Sequence, residues 1–93
     1  MSQTRKVSRN NTNIRIENGF TIIRLYSTDI VKFNDECIIF NTDGYKTVTT
    51  KTRMAQVSNQ YNLDYNVYQE KGKWIVKYLE KTYPFYDGII LNR

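Results

Sequence analysis

The chain has 93 residues, 40% of them hydrophobic with one Trp, eight Tyr and four Phe, and it sets 14 Lys+Arg against nine acids for a formal charge of +5. A chain this short buries only roughly 60–65% of its unfolded surface, which makes one core and one domain, and this aromatic content is not that of a disordered segment. With one cysteine, no histidine and no apolar run near the roughly 20 residues that span a bilayer, the composition excludes an intrachain disulfide, a zinc site built on Cys and His, and a transmembrane helix.

Residues 1–12 carry Arg5, Lys6 and Arg9 and no acid, which predicts a flexible basic arm ahead of a single domain over residues 13–93. Strand signals begin at Asn13–Glu17, where Ile14 and Ile16 alternate with polar residues. Asn18-Gly19 is a hairpin turn, because both of its central positions need positive φ. Phe20–Tyr26 returns, Asp29–Phe33 is a third strand, and Asn34-Asp35-Glu36 leads to a fourth at Cys37–Asn41. Cys37 lies in an apolar run, which predicts a buried, inert thiol. Thr42-Asp43-Gly44 ends this pairing.

The periodicity changes at Thr47. Thr49 or Thr50 can cap a helix that runs to about Asn62, with Met54, Val57 and Tyr61 on one face and Asn62 and Asp64 closing it. Strands resume at Tyr65–Glu70, turn at Lys71-Gly72, and continue through Lys73–Leu79, where Trp74, Val76 and Tyr78 read as core. Pro84 makes the next segment an edge or irregular strand. Asp87-Gly88 turns into a terminal strand at Ile89–Leu91. The fold class is α+β: a strongly bent antiparallel sheet of about six to eight short strands packed on one central helix.

Catalytic signals are few. The chain lacks the commonest general base and metal ligand, and it has no Walker A, G-x-G-x-x-G or G-x-S-x-G pattern. Asp29, Asp35, Glu36, Asp43 and Asp87 fall at turns, where carboxylates are ordinary. A spaced carboxylate pair of the glycosidase kind is invisible at this level. The expectation is a protein that works without enzyme activity, metal or cofactor.

The segment from Gly44 to Leu63 holds Lys46, Lys51 and Arg53 with no acid, interleaved with Thr47, Thr49, Thr50 and Thr52. A cap at Thr49 or Thr50 puts Lys51 and Arg53 in the first turn. A helix N-terminus carries about half a positive charge and prefers acids there. An anion would reverse the penalty, so Lys46, Thr49, Thr50, Lys51 and Arg53 are the candidate phosphate or partner site. The competing reading leaves these cations solvated or paired with Asp43 or Asp64. A second basic patch, Lys71, Lys73 and Lys77 with Lys81 nearby, surrounds one hairpin. Lys73 and Lys77 share a strand face with Ile75, Tyr68 can stand opposite, and bases could stack between the lysines. Edge lysines that block aggregation are the alternative use.

The run Gly44-Tyr-Lys-Thr-Val-Thr-Thr-Lys-Thr-Arg-Met54, with Ser58-Asn-Gln-Tyr-Asn-Leu63 and Tyr68-Gln69, resembles a pattern of small accessory proteins encoded by bacteriophages. Ser27-Thr-Asp-Ile-Val31 and Pro84-Phe-Tyr-Asp-Gly88 resemble the same group, and the likeness covers roughly residues 13–91. An Asn often follows the Met in that pattern, where this chain has Ala55. The resemblance implies a viral protein, and the abundance of Asn, Ile, Lys and Tyr suits a low-GC genome.

Two functions follow. The first is a nucleic-acid-binding protein whose helix N-terminus, arm and lysine hairpin contact phosphates. The second is an inhibitor of a host or anti-phage defence protein, such as a nuclease, with Tyr45, Tyr68 and Tyr86 as anchors. A small phage enzyme or virion component is a weaker third. Each fits the host-cell cytoplasm with no membrane partner, and an unpaired edge strand would permit a homo-oligomer.

Overall fold

A computed structural model describes residues 11–44 and 46–93. Positions 1–10 of the basic arm and the candidate anchor Tyr45 lie outside the described residues. Asn11 and Thr12, counted with the arm above, belong to the fold. The Asn11 carbonyl accepts the Tyr26 N–H at 2.8 Å, and Thr12 is buried at the start of the first strand.

Among the described residues, eight strands and one helix follow in the order β1 (Thr12–Glu17), β2 (Phe20–Leu25), β3 (Thr28–Phe33), β4 (Cys37–Phe40), α1 (Val48–Tyr61), β5 (Tyr65–Glu70), β6 (Lys73–Tyr78), β7 (Lys81–Pro84) and β8 (Ile90–Asn92). They form two antiparallel sheets: a first of five strands in the order β1-β2-β3-β4-β8, and a second of three in the order β5-β6-β7. The fold is α+β as expected, with the bent sheet divided in two at the helix. Pro84 lies in β7, an edge strand of the second sheet, where its missing N–H costs no ladder bond.

Local chemistry explains the elements. Asn18 and Gly19 both adopt positive φ and close the β1–β2 hairpin; Lys71 and Gly72 do the same for β5–β6. A register shift opposite Ile23 and Arg24 leaves Ile30 as the extra residue of a bulge, so Ile30 and Val31 are both buried. Thr47, not Thr49 or Thr50, caps the helix: its hydroxyl accepts the Thr50 N–H at 3.2 Å. Thr50 turns inward and is buried, while Thr49 stays exposed. Asn62, in the left-handed conformation, ends α1 as expected.

The core lies between the sheets and the helix. Met54 and Val57 of α1 are fully buried with Ile23, Val31, Ile38 and Phe40 of the first sheet and Val76 of the second. Phe40 packs edge-on against Tyr65 at 4.8 Å between centroids, joining the two sheets, and Tyr65 donates its hydroxyl to the Met54 carbonyl. Burial pushes the Tyr65 phenol well above its ordinary pKa. Trp74, Val76 and Tyr78 are core, as their alternation predicted. Cys37 departs from expectation. Ile38 and Phe40 take the inward positions of β4, which turns Cys37 outward and leaves it half-buried.

Candidate functional site

The cap at Thr47 moves the cations relative to the helix end. Lys51 becomes the fourth helical residue and Arg53 falls in the second turn. Two residues correspond to about 200° of rotation on a helix of 3.6 residues per turn, so the two side chains leave opposite sides. Lys51 Nζ reaches the second sheet, 5.7 Å from the Trp74 ring centroid and 3.5 Å from Gln69 Oε1. Arg53 Nε donates to Thr12 Oγ1 in β1 at 3.1 Å. Thr50 lies inside against Thr47. Lys46 acts on Asp87, whose carboxylate it helps to hold ionised. Lys46, Thr49, Thr50, Lys51 and Arg53 are therefore not gathered around one anion.

The second basic patch is gathered. In the second sheet Tyr68 pairs with Ile75, and Ile75 with Pro84. On the neighbouring pairs of the same face, Asn66 meets Lys77, Lys77 meets Thr82, and Glu70 meets Lys73. Strand alternation sends Val67, Trp74 and Val76 to the core, so Tyr68, Lys73, Ile75, Lys77 and Pro84 share the outward face. Tyr68 and Ile75 are half-buried, while Lys73, Lys77 and Pro84 are exposed. Lys73 and Lys77 stand four residues apart along β6, about 13 Å at the usual strand rise. Lys71 lies in the adjoining turn, whereas Lys81 begins β7 opposite Tyr78 and so falls outside the Lys73–Lys77 face. Among the described residues, none of these four lysines makes an ion pair. Sequence reasoning placed Tyr68 opposite Ile75. It missed Pro84 in the same row, because the offset of β7 depends on a turn with no sequence signature.

The first sheet contrasts with this. Asp29 accepts from Arg15 Nη2 at 3.1 Å and from Arg24 Nε at 3.0 Å, and Arg15 also reaches Glu17. The Arg15 hydrogen bond, opposed by burial and aided by Arg24, holds the Asp29 carboxyl below its ordinary range. Asp87 lines the same shallow recess as Asp29. Burial works to raise its pKa, but the Thr42 hydroxyl and N–H, the Gly44 N–H and Lys46 together bring it below the ordinary value. Both carboxylates are thus ionised at neutral pH, and neither is kept protonated as the acid of a glycosidase pair must be. No group of three His, Cys, Asp or Glu among the described residues is placed to hold a metal ion. No helix among them is long and apolar enough to cross a membrane.

A family model described as Kyanoviridae Gp96 protein matches residues 1–92. No curated protein and no solved structure matches the chain.

Proposed function

For a chain that belongs to the Kyanoviridae Gp96 family of phage proteins, we propose that the outward face of β5–β6–β7 binds single-stranded nucleic acid without catalysing a reaction on it. One observation carries the reading: the cross-strand row Tyr68–Ile75–Pro84 is flanked by Lys73 and Lys77, which form no ion pair among the described residues even though Glu70 stands opposite Lys73. A base can lie on Tyr68 and on the apolar surface of Ile75 and Pro84, because every base has a flat π-face. The lysines then meet the phosphates on either side. Such a surface tolerates many sequences. It also favours unpaired bases, since a duplex hides their faces in its own stack.

The test is fluorescence anisotropy with a labelled 12-nucleotide oligothymidine and a duplex of the same length, at two salt concentrations. Binding should prefer the single strand and weaken as salt rises. The double substitution Lys73→Glu, Lys77→Glu should lower affinity by at least about tenfold, roughly 1.4 kcal/mol. A flat salt response would refute the reading.

A second reading, an inhibitor that seizes a host or defence protein such as a nuclease, is favoured by a different feature. Leu79 and Glu80 both adopt positive φ in the β6–β7 turn, and Leu79 is 62% exposed. Ile90 of β8, 54% exposed, lines the same groove. An exposed leucine on a strained turn beside an exposed isoleucine suits a protein anchor better than a phosphate. Co-purification of one host protein that survives nuclease and high salt, and is lost in Leu79→Ser, would establish this reading over the first.

A further inference from the structure

A cavity of about 290 Å³ lies beside the β2–β3 turn, and no charged side chain among the described residues lines it. Its apolar wall is Leu25 and Ile30, both part of the buried core. An apolar cavity of about 150 Å³ holds benzene, so this one has room for a fused bicyclic ring of about ten non-hydrogen atoms.

Thr28 supplies the polar contact. It opens β3 opposite Leu25, lines the cavity and is only 9% exposed, yet its hydroxyl has no hydrogen-bond partner among the described residues. No side-chain oxygen sealed from solvent is left unpaired there, so this hydroxyl opens on the cavity. The other threonines of the wall are already engaged. Thr42 donates its hydroxyl to Asp87 at 2.7 Å and accepts the Gly44 N–H at 3.2 Å, and the Thr47 and Thr50 hydroxyls bond to each other at 3.1 Å. Ser27 is exposed and solvated. One buried, open hydroxyl in a wall otherwise apolar or hydrogen-bonded matches a ligand with a single polar group.

Tyr26 completes the wall on its exposed side. Its N–H donates to the Asn11 carbonyl at 2.8 Å, and its hydroxyl accepts from Asn11 Nδ2 at 3.3 Å. It sits at φ 56° in the first position of a two-residue turn, where a hairpin ordinarily takes glycine. The turn thus keeps an aromatic ring at the cavity in spite of backbone strain.

We infer that this cavity binds an uncharged fused-ring arene carrying a single N–H or O–H, of the indole type. The ring lies against Leu25 and Ile30 with Tyr26 beside it, and the N–H donates to Thr28 Oγ1. A charged ligand would be buried here without a counter-ion, and a purine would bury several ring nitrogens against Leu25 and Ile30 without donors.

The experiment is an amide chemical-shift titration of the full chain with indole, N-methylindole and indole-3-carboxylate. Indole should give saturable shifts centred on Leu25, Thr28 and Ile30. N-methylindole, which lacks the N–H, should bind at least about threefold more weakly through loss of one hydrogen bond. The carboxylate should bind at least about tenfold more weakly. Thr28→Val keeps the β-branched shape and removes only a hydroxyl that bonds nothing in the fold, so it should stay folded and bind indole and N-methylindole alike. Thr28→Ser keeps the hydroxyl and should preserve the preference for indole. Shifts that never saturate, a preference for indole that survives in Thr28→Val, or a carboxylate bound as tightly as indole would each overturn the proposal. The lysine face of the second sheet shares no residue with this wall, so none of these outcomes bears on it.

Discussion

Lys51 Nζ lies 5.7 Å from the centroid of the Trp74 ring, bridging the first turn of α1 to the second sheet. A cation over an indole face contributes about 0.5–1 kcal/mol where the site is partly exposed. Lys51→Ala should lower the unfolding free energy by about that amount in urea titrations. It should change oligonucleotide affinity less than Lys77→Ala does, since the Lys51 ammonium already faces the protein. Equal losses of nucleic-acid affinity from the two substitutions would return the binding surface to the helix end.

The lysine face makes a quantitative prediction about salt. For single strands, each neutralised phosphate contributes about −0.7 to the log–log slope of affinity against salt. Three contacts from Lys71, Lys73 and Lys77 give a slope of about −2. Each Lys→Gln substitution should make the slope shallower by about 0.7. Tyr68→Ala should instead cost about 1–3 kcal/mol of binding at every salt concentration, with the slope unchanged, because stacking involves no counterion. This separation of slope from intercept distinguishes stacking from charge.

Much of this architecture was legible because particular residues force it. Asn18-Gly19 and Lys71-Gly72 dictated two hairpins, and the spacing of Met54, Val57 and Tyr61 dictated the helix. The alternation of Trp74, Val76 and Tyr78 with Lys73, Ile75 and Lys77 assigned the two faces of β6, and with them the basic face. Four threonines near the helix start are near-equivalent as caps, and local sequence could not tell that Thr50 would turn inward and leave Thr47 to cap. That shift of two to three residues moved Arg53 out of the first turn and dispersed the expected anion cradle. The Leu79-Glu80 turn was invisible for a related reason: neither residue prefers positive φ, so only the pairing of β6 with β7 reveals it.

Acid should weaken the fold through Asp29. Its carboxyl titrates below the ordinary value chiefly because Arg15 hydrogen-bonds the charged form, with Arg24 adding to this and burial opposing it. A depressed folded-state pKa gives stability that is fully present above the unfolded value, about 3.9, and is lost as pH falls through the lower folded value. Urea midpoints measured from pH 7 down to pH 2 should fall below about pH 4, and Asp29→Asn should flatten part of that decline. Its cost at pH 7 should stay below about 1 kcal/mol, because the pairs are partly exposed and screened.

Asp87 should matter more than Asp29 at neutral pH. It accepts from the Thr42 N–H at 2.9 Å, the Thr42 hydroxyl at 2.7 Å and the Gly44 N–H at 3.2 Å, and Thr42 is only 1% exposed. Asp87→Ala leaves two Thr42 donors without their partner in a place water reaches poorly, at a cost of about 1–3 kcal/mol. Asp87→Asn keeps an acceptor oxygen and should recover more than half of the loss. Equal destabilisation by the two substitutions would mean that charge, and not hydrogen bonding, holds this loop.

The β6–β7 turn offers a test in which stability and function move in opposite directions. Leu79 at φ 52° and Glu80 at φ 66° both occupy the left-handed region, each at a cost of roughly 1–2 kcal/mol for a residue with a side chain. Asn-Gly is the pair that this turn geometry prefers, and Leu79 is exposed, so replacing it removes no core. The double substitution Leu79→Asn, Glu80→Gly should raise stability by about 1–2 kcal/mol, reduced by the roughly 0.5–1 kcal/mol of extra chain entropy that glycine gives the unfolded state. The melting temperature should rise by several degrees. If the turn serves a protein partner, the stabilised variant should release that partner while Lys73→Glu retains it. If the turn serves no partner, the variant should be more stable and bind everything the parent binds.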